Sequence, residues 1–388
     1  MRKRRRASSF PSPAVAVSLG MRRLLLPALL PLLACSSGDT RATDTTPAWR
    51  AEAVATIGSD SGDASFAGVR SLLFGKGGEL YVLDYQYQSK ELKVFDSAGN
   101  FLRRVGRLGS GPGEFRDPYS IAWLGDTLAL LDPGNARIGL FGPDDKWVGQ
   151  LPAPRLTGGN NVRLFRTTGD GFWALARRPT ESGSESFFLR YPAAGPNDSL
   201  PFADMTVAAR TTITCEFPDR SLHFFDAPFA PMSRQVPAPE SRRAIARTDA
   251  YRITFLGPAG DTVQTIQREE PLHPIADSAW EAGLGEWTEA RKTAGIKCDG
   301  DSFDRPAGQP VLGALFYDDQ GRLWVEVHSL DGLRYDLYDA AGTRVATITG
   351  LPTSGEVDPA IQGDRIAIAL PEEGGFPRIG IYRFAAPK

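Results

Sequence analysis

The sequence contains few of the side chains that most often carry metal or covalent chemistry. Its three histidines, His223, His273 and His328, lie far apart and in no ligand-spaced motif. No Gly-x-Ser-x-Gly elbow stands in a strand–turn–helix setting, and no Gly-rich segment matches a phosphate-binding P-loop. The sequence therefore assigns no catalytic residue, no metal ligand and no cofactor.

One acidic loop leaves an alternative open. Asp299, Asp301 and Asp304 crowd together and could hold Ca²⁺, but their spacing is not that of an EF-hand. A solvated acidic loop is the preferred interpretation.

An excess of positive charge is also missing. The chain has 44 Lys and Arg against 46 Asp and Glu, and seven of the basic residues lie within residues 1–34, so the remainder carries 37 basic and 46 acidic residues, a net charge of −9. Nucleic acids and anionic membrane surfaces attract clustered Lys and Arg. The composition therefore argues against nucleic acid as a partner and against membrane attachment by charge.

Long helical patterns are scarce as well, whereas 41 glycines and 30 prolines punctuate the chain. This composition favours many short strands joined by turns. The predicted fold class is therefore all-β.

The N-terminal region has the layout of an export signal. Met21-Arg22-Arg23 is basic, and the apolar run from Leu24 to Ala34 is shorter than the roughly 20 residues that span a bilayer. We predict that residues 1–34 are a signal segment and that translation starts at Met21. A long basic segment beginning at Met1 is the alternative.

The order Leu32-Leu33-Ala34-Cys35 resembles the lipobox of bacterial lipoproteins. The resemblance implies that Cys35 receives a diacylglyceryl group and becomes the first residue of the mature protein. An ordinary signal followed by an incidental cysteine is the alternative. Residues 35–49 are then a lipidated flexible tether, and the protein belongs in the bacterial cell envelope, on the periplasmic or outer-membrane side.

A repeated pattern of short strands and Gly or Asp turns organises the rest of the chain. Six copies align on their second strand, at Leu80, Leu128, Trp173, Ala244, Leu323 and Ile366. A four-stranded propeller blade takes about 40–50 residues, so the two longest intervals contain insertions, at about 191–232 and 268–308.

These copies predict a six-bladed β-propeller of four-stranded antiparallel blades over residues 50–388, with one short helical insertion. Radial stacking buries both faces of each sheet, whereas a linear array of hairpins would leave its end sheets uncovered. The last copy ends at its third strand, and the alternating segment Ala51–Ile57 is the candidate for its outer strand.

Several segments resemble NHL repeats. The linker Gly109-Ser110-Gly111-Pro112-Gly113-Glu114-Phe115-Arg116-Asp117-Pro118 and the strand Leu80-Tyr81-Val82-Leu83-Asp84 carry the likeness, and Gly321-Arg322-Leu323-Trp324-Val325 fits it too. Across residues 66–384 the chain resembles the six-bladed NHL/TolB-like propeller lipoproteins. This group includes binding scaffolds, lyases and lactonases, so the resemblance implies a fold more than a function.

Each insertion contains one cysteine. Cys215 and Cys298 are predicted to form a disulfide, since an exported protein lies where disulfides persist. Two free buried thiols are the alternative.

In the second insertion Ser278 and Glu281 fit a helix capping box. Trp280, Leu284 and Trp287 follow at helical spacing and are predicted to pack on the propeller rim, with a lid over the channel as the alternative.

Propeller geometry places the loops between second and third strands, and those between blades, on one face. Binding sites favour loops on a rigid frame. The candidate binding residues on this face are Asp84, Tyr85, Arg116, Asp117, Asp132, Asn135, Arg177, Asp249 and His328. For Asp84 and Asp132, the alternative is a strand-ending aspartate that bonds its own turn.

The leading functional hypothesis is a membrane-anchored, non-catalytic propeller that binds an envelope protein, peptide or glycan as a monomer. The competing hypothesis is a metal-dependent lactonase- or lyase-like enzyme, which would need three or four convergent ligands in the channel. A purely structural envelope component is the third.

Overall fold

In the repeats, apolar side chains point to both faces of the sheet, and both faces are buried. In the first repeat Leu80 and Val82 point to one side of the sheet and Tyr81 and Leu83 to the other, and all four are buried. Successive side chains of a strand point to opposite faces, so a lone sheet would expose apolar surface on both sides. Neighbouring sheets cover these surfaces.

The computed structural model describes residues 46–86, 89–154, 163–166, 171–180, 183–191, 199–203, 211–355, 357–373 and 376–385. Met21, Cys35 and the rest of residues 1–45 lie outside the described residues, so the predictions made for them stay predictions.

The strands are numbered in chain order, and the first, β1, is Ala48–Ile57. Blade one contains β2 (Val69–Phe74), β3 (Leu80–Gln86), β4 (Ser89–Phe95) and β5 (Phe101–Val105). The linker that follows holds two short parallel strands, β6 (Arg107–Leu108) and β7 (Glu114–Phe115). Blade two contains β8 (Ser120–Leu124), β9 (Thr127–Asp132), β10 (Arg137–Phe141) and β11 (Trp147–Pro152). Blade three contains β12 (Leu164–Arg166), β13 (Phe172–Thr180), β14 (Gly183–Tyr191) and β15 (Ser199–Pro201).

The next strands, β16 (Thr212–Glu216) and β17 (Leu222–Asp226), lie outside the blades. Blade four contains β18 (Ser233–Ala238), β19 (Arg242–Arg247), β20 (Arg252–Leu256) and β21 (Thr262–Gln267). Helices α1 (Asp277–Gly283) and α2 (Gly285–Ala290) and strand β22 (Lys297–Cys298) follow. Blade five contains β23 (Leu312–Tyr317), β24 (Leu323–Ser329), β25 (Gly332–Tyr338) and β26 (Arg344–Thr349). Blade six contains β27 (Ala360–Gln362), β28 (Arg365–Glu373) and β29 (Phe376–Ala385), with β1 as its fourth strand.

The ring closes through the N-terminal strand, as predicted. β1 pairs antiparallel with β29 from Arg50 opposite Ala385 to Ile57 opposite Ile379. Its first residues also pair in parallel with β26 of blade five. Ile57 packs in one buried cluster with Leu72 of blade one and Ile379 of blade six. The strand begins at Ala48, so Trp49, assigned to the tether from the sequence, belongs to the propeller instead.

The first strand of each blade borders the central channel, because first strands of neighbouring blades contact one another. The Ile121 amide of β8 donates to the Ser71 hydroxyl of β2, and the Leu164 amide of β12 donates to the Ser120 hydroxyl of β8. We call the face with the second-to-third-strand hairpins and the inter-blade linkers the upper face, and the opposite face the lower face. β1 leads into an upper-face linker, so Ala48 lies at the lower face.

The two insertions form a small unit of their own on the upper face. Strands β17, β16 and β22 make a three-stranded sheet in which Cys215 lies opposite Cys298. The predicted disulfide joins these two residues, with an S–S distance of 2.06 Å. The first insertion starts later than predicted, because β15 occupies Ser199–Pro201 as the outer strand of blade three.

The helical segment differs from the prediction in three ways. It contains two short helices rather than one, and α1 starts at Asp277 with Ala276 as an N-cap that makes no side-chain bond, so the capping box is wrong. Its apolar side chains, with Trp287 the most buried, pack on the cystine-bearing sheet near Cys215 rather than on the propeller rim. The apolar side chains of these helices are therefore buried against the sheet formed by the two insertions.

Candidate functional site

Two predicted site residues, Asp84 and Asp132, fix linkers of the upper face by hydrogen bonds. Asp84, at the end of β3, is buried, and its carboxylate accepts the backbone amides of Ala67 and Gly68 at 2.9 and 3.0 Å. It also binds the buried Lys93 ammonium at 2.9 Å, and Lys93 donates to the Ser65 carbonyl. Asp84 therefore fixes the linker that enters blade one.

Asp132 repeats this arrangement in blade two. Its buried carboxylate accepts the backbone amides of Arg116 and Asp117, the shorter contact being 2.7 Å. It also accepts a bond from the Asn135 side chain, which in turn donates to the Gly109 carbonyl. Asn135 thus ties the hairpin to the linker, while the Arg116 side chain is exposed.

The remaining predicted residues lie apart from these. Asp249 pairs locally with Arg247, whose Nε donates at 3.1 Å. Arg177 lies in β13, but its side chain is outside the described residues. His328 is about half exposed at the end of β24 and contacts Glu326, with 2.8 Å between His328 Nε2 and Glu326 Oε1.

Glu326 is a buried carboxylate with an unusually complete set of donors. The hydroxyls of Tyr335, Thr353 and Ser354 and the Ser354 amide all bond to it, in addition to His328. Burial alone would raise the pKa of Glu326, but the hydrogen bonds from His328, Ser354 and Thr353 outweigh it and lower the pKa to about 2. An ionised Glu326 therefore holds the linker between blades five and six.

Tyr85 and Asp117 are the two predicted residues that come together with others at the channel. The guanidinium of Arg70, near the upper end of β2, lies over two tyrosine rings: its Cζ is 4.5 Å from the Tyr85 centroid and 4.1 Å from that of Tyr119. The two ring centroids are 5.5 Å apart and the rings are tilted by 56°. Arg70 therefore lies over both tilted rings, which together we call the aromatic wedge.

Asp117 fixes one of these rings. The Tyr85 hydroxyl donates to Asp117 Oδ1 at 2.6 Å, and the Lys90 ammonium donates to the same oxygen at 2.9 Å and to the Arg116 carbonyl. Burial alone would raise the pKa of Asp117, but these hydrogen bonds and the positive charges of Lys90 and Arg70 lower it. We call Arg70, Tyr85, Lys90, Asp117 and Tyr119 the channel-mouth cluster.

An ion pair crosses the channel close to the same level. Arg163 precedes β12 of blade three, and Asp358 precedes β27 of blade six, on the opposite side of the ring. Arg163 Nη1 lies 2.6 Å from Asp358 Oδ1. The upper mouth of the channel is therefore spanned by a charged contact and bordered by the channel-mouth cluster.

The residues that the structure describes contain neither a metal-binding group nor a membrane-spanning helix. None of these residues form a group of three or more His, Cys, Asp or Glu arranged to hold a metal ion. In the acidic loop, Asp299 accepts the Thr214 amide and the Asp301 carbonyl accepts from Arg291; Asp304 makes other contacts. No described helix has the length and apolarity to cross a bilayer.

Three members of the cluster were missed from the sequence. Arg70 and Tyr119 stand where linkers pass into first strands, and Lys90 lies on the third strand of blade one. A charged or aromatic residue next to a first strand was the available signal, because that position borders the channel in every blade.

The fold and its linkers define a six-bladed β-propeller. Residues 63–144 match a family described as "6-bladed beta-propeller", and no curated protein matches the chain. Among solved structures, a Bacteroides fragilis protein thought to be exported is 13% identical, with a TM-score of 0.45 over 87% of this chain and 96% of its own. Virginiamycin B lyase from Staphylococcus aureus is 9% identical, with a TM-score of 0.40 over 86% and 99%. Regucalcin, a calcium-binding protein from Agrobacterium tumefaciens, is 10% identical, with a TM-score of 0.36 over 86% and 96%. Likenesses this distant carry no information on ligand or activity.

Proposed function

We propose that the protein is a lipid-anchored, extracytoplasmic propeller that binds an envelope protein, peptide or glycan at the upper mouth of its channel. The observation that carries the proposal is the channel-mouth cluster, in which Arg70 is held over Tyr85 and Tyr119 beside the first strands. Tyrosine and arginine are the side chains that most often dominate binding interfaces. The lipobox-like Leu32–Cys35 segment supports the anchor and the location outside the cytoplasm.

Capture of the native lipoprotein from crosslinked envelopes tests the binding face. We expect a partner to copurify with the wild type and with the lower-face variant Lys76→Ala, but not with the double variant Arg70→Ala/Tyr119→Ala. Lys76 pairs with Asp126 at exposed turns on the lower face and serves as the matched control. Equal capture by both variants would place the binding surface elsewhere.

The anchor is tested separately with Cys35→Ser. We expect this variant to lose metabolic labelling by palmitate and to move from the membrane fraction to the soluble fraction, because one sulfur carries the lipid. Membrane retention of an unlabelled Cys35→Ser protein would contradict the anchor and leave the binding proposal standing.

A second candidate function is a lyase- or lactonase-like reaction, and one observation favours it. The half-exposed His328 is held by the buried, ionised Glu326, and a histidine oriented by a carboxylate is a common general base. A panel of lactone and ester substrates tests this candidate. We expect turnover that disappears in His328→Gln and persists in Arg70→Ala; turnover equal in wild type and His328→Gln would remove it.

A further inference from the structure

Arg70 is a half-buried cation that makes no direct ion pair with a described carboxylate. Among the described residues it has neither an ion pair nor a hydrogen bond, and the contacts it does make are with the faces of Tyr85 and Tyr119. Two other arginines near the upper face are paired, Arg163 with Asp358 and Arg247 with Asp249. The five N–H donors of the Arg70 guanidinium are therefore available to a ligand.

The aromatic wedge positions Arg70 rather than offering a stacking surface. The guanidinium lies within 4.5 Å of both ring centroids, so a flat ligand cannot stack on the ring faces that Arg70 covers. The hydrogen bond from Tyr85 to Asp117 fixes one ring. A guanidinium held in this way loses less side-chain entropy when it binds, and its planar fork matches an anion with two oxygens.

The local charges favour an anion with a single negative charge. Lys90 is already neutralised by Asp117, since its ammonium lies 2.9 Å from the Asp117 carboxylate. Among the members of the channel-mouth cluster, the positive charge without an ion pair is that of Arg70. A carboxylate would balance this charge, whereas a phosphate dianion would leave one negative charge uncompensated beside the ionised Asp117.

We infer that Arg70 of the channel-mouth cluster is the receptor for a carboxylate group of the ligand, bound through paired N–H donors of its guanidinium. The inference rests on the proposed function, because it names the chemistry recognised at that same face. A peptide C terminus and a uronic acid share this chemistry, and the experiment below distinguishes them.

The test observes Arg70 directly in the full lipoprotein, inserted in nanodiscs and labelled with ¹⁵N-arginine. The Nε–H resonance of Arg70 is identified by its loss in Arg70→Lys, and the remaining arginine signals serve as internal controls. Acetate, N-acetyl-dialanine and glucuronate are added in separate titrations at constant ionic strength. Acetamide, N-acetyl-dialanine amide and inorganic phosphate are the comparison arms.

We expect the Arg70 resonance to move and to saturate with the carboxylates and not with the two amides. A source that supplies further contacts will saturate at lower concentration, which separates the peptide from the uronic acid. Arg70→Lys keeps the charge but lacks the planar fork, so affinity for the preferred carboxylate, measured calorimetrically, is expected to fall about tenfold or more.

Three results would overturn the inference: no saturable shift, an equal shift with acetamide, or tighter binding of phosphate than of any carboxylate. Loss of partner capture in Arg70→Ala/Tyr119→Ala without a carboxylate effect refutes the carboxylate and leaves the proposed function intact. A carboxylate effect without any captured partner supports the inference while the proposed function fails.

Discussion

At the scale of single residues, the same structural task is performed in blades one and two with different partners. Asp84 and Asp132 each end a second strand and each accept amides from the linker that enters their blade. Asp84 also neutralises the buried Lys93, whereas the described partners of Asp132 are neutral amides. Removing a charge from one side of a buried ion pair costs more than weakening a neutral hydrogen bond.

Asparagine substitutions at these two positions should therefore differ. We expect Asp84→Asn to lower the free energy of unfolding by about 3 kcal/mol, because the buried Lys93 then keeps only the more exposed Glu91 as a described anionic partner. Asp132→Asn should cost about 1–2 kcal/mol, since the amide oxygen still accepts a bond. Urea unfolding of both variants measures the difference; equal losses would show that Lys93 does not depend on Asp84.

The lowered pKa of Glu326 predicts that the free energy of unfolding falls in acid. Its pKa is lowered from 4.5 to about 2 in the folded state, so it favours folding above pH 4.5. That contribution, about 3 kcal/mol, is lost as the pH falls towards 2. We expect Glu326→Gln to be less stable at pH 7 and to lose less stability between pH 4.5 and 2.

Thermal unfolding across this pH range, with the exposed Glu216→Gln as the matched control, measures the effect. Parallel acid limbs in the wild type and Glu326→Gln would assign acid sensitivity to other carboxylates.

At the scale of elements, the sequence predicts best those strands that follow the repeated blade pattern. The second strands at Leu80, Leu128, Trp173, Ala244, Leu323 and Ile366 were all predicted, because each combines alternation with a flanking turn. Strands β16 and β17 were not predicted. They pack against helices and a cystine rather than in a blade, so the blade pattern does not describe them.

The channel-mouth cluster shows the same limit for the site. Tyr85 and Asp117 were predicted because loops of one face could be identified from the repeat. Arg70 and Tyr119 belong to different blades and meet only when those blades stack. Their contact depends on the angle between two sheets, which residue spacing does not specify.

The position of the Cys215–Cys298 disulfide predicts that it protects amides of its own small sheet from exchange, and not those of blade four. Cys215 and Cys298 join β16 to β22, and the helices pack on this small sheet, whereas blade four has its own core. We expect reduction, or Cys215→Ser/Cys298→Ser, to increase amide exchange in residues 212–216 and 297–298 while β19 stays protected. Mass-spectrometric hydrogen exchange measures both regions; loss of protection in β19 would mean that the cystine also supports the blade.

At the scale of the whole molecule, stability depends on a seam made by the two ends of the described chain. β1 is the fourth strand of blade six, and Ile57 packs between blades six and one. No covalent bond among the described residues closes this seam, so strand pairing and burial hold the ring together.

Substitutions within β1 test the seam. Ile57 is 1% exposed and Val54 is 51% exposed in the same strand. We expect Ile57→Ala to cost about 2–5 kcal/mol and Val54→Ala less than about 0.5 kcal/mol. Chemical unfolding gives both values, and hydrogen exchange should show faster opening in blades one and six for Ile57→Ala. A cost below about 1 kcal/mol would mean that the ring does not rely on this packing.

The direction of β1 has a consequence for how the protein is presented. The strand starts at the lower face and ends at the upper face, so Ala48, the residue of the strand nearest in sequence to Cys35, lies at the lower face. About a dozen extended residues reach at most about 40 Å. With Cys35 as the proposed anchor, a segment of this length would keep Ala48 within about 40 Å of the lipid. The ligands within reach of Arg70 would then be those found close to the membrane that carries the anchor.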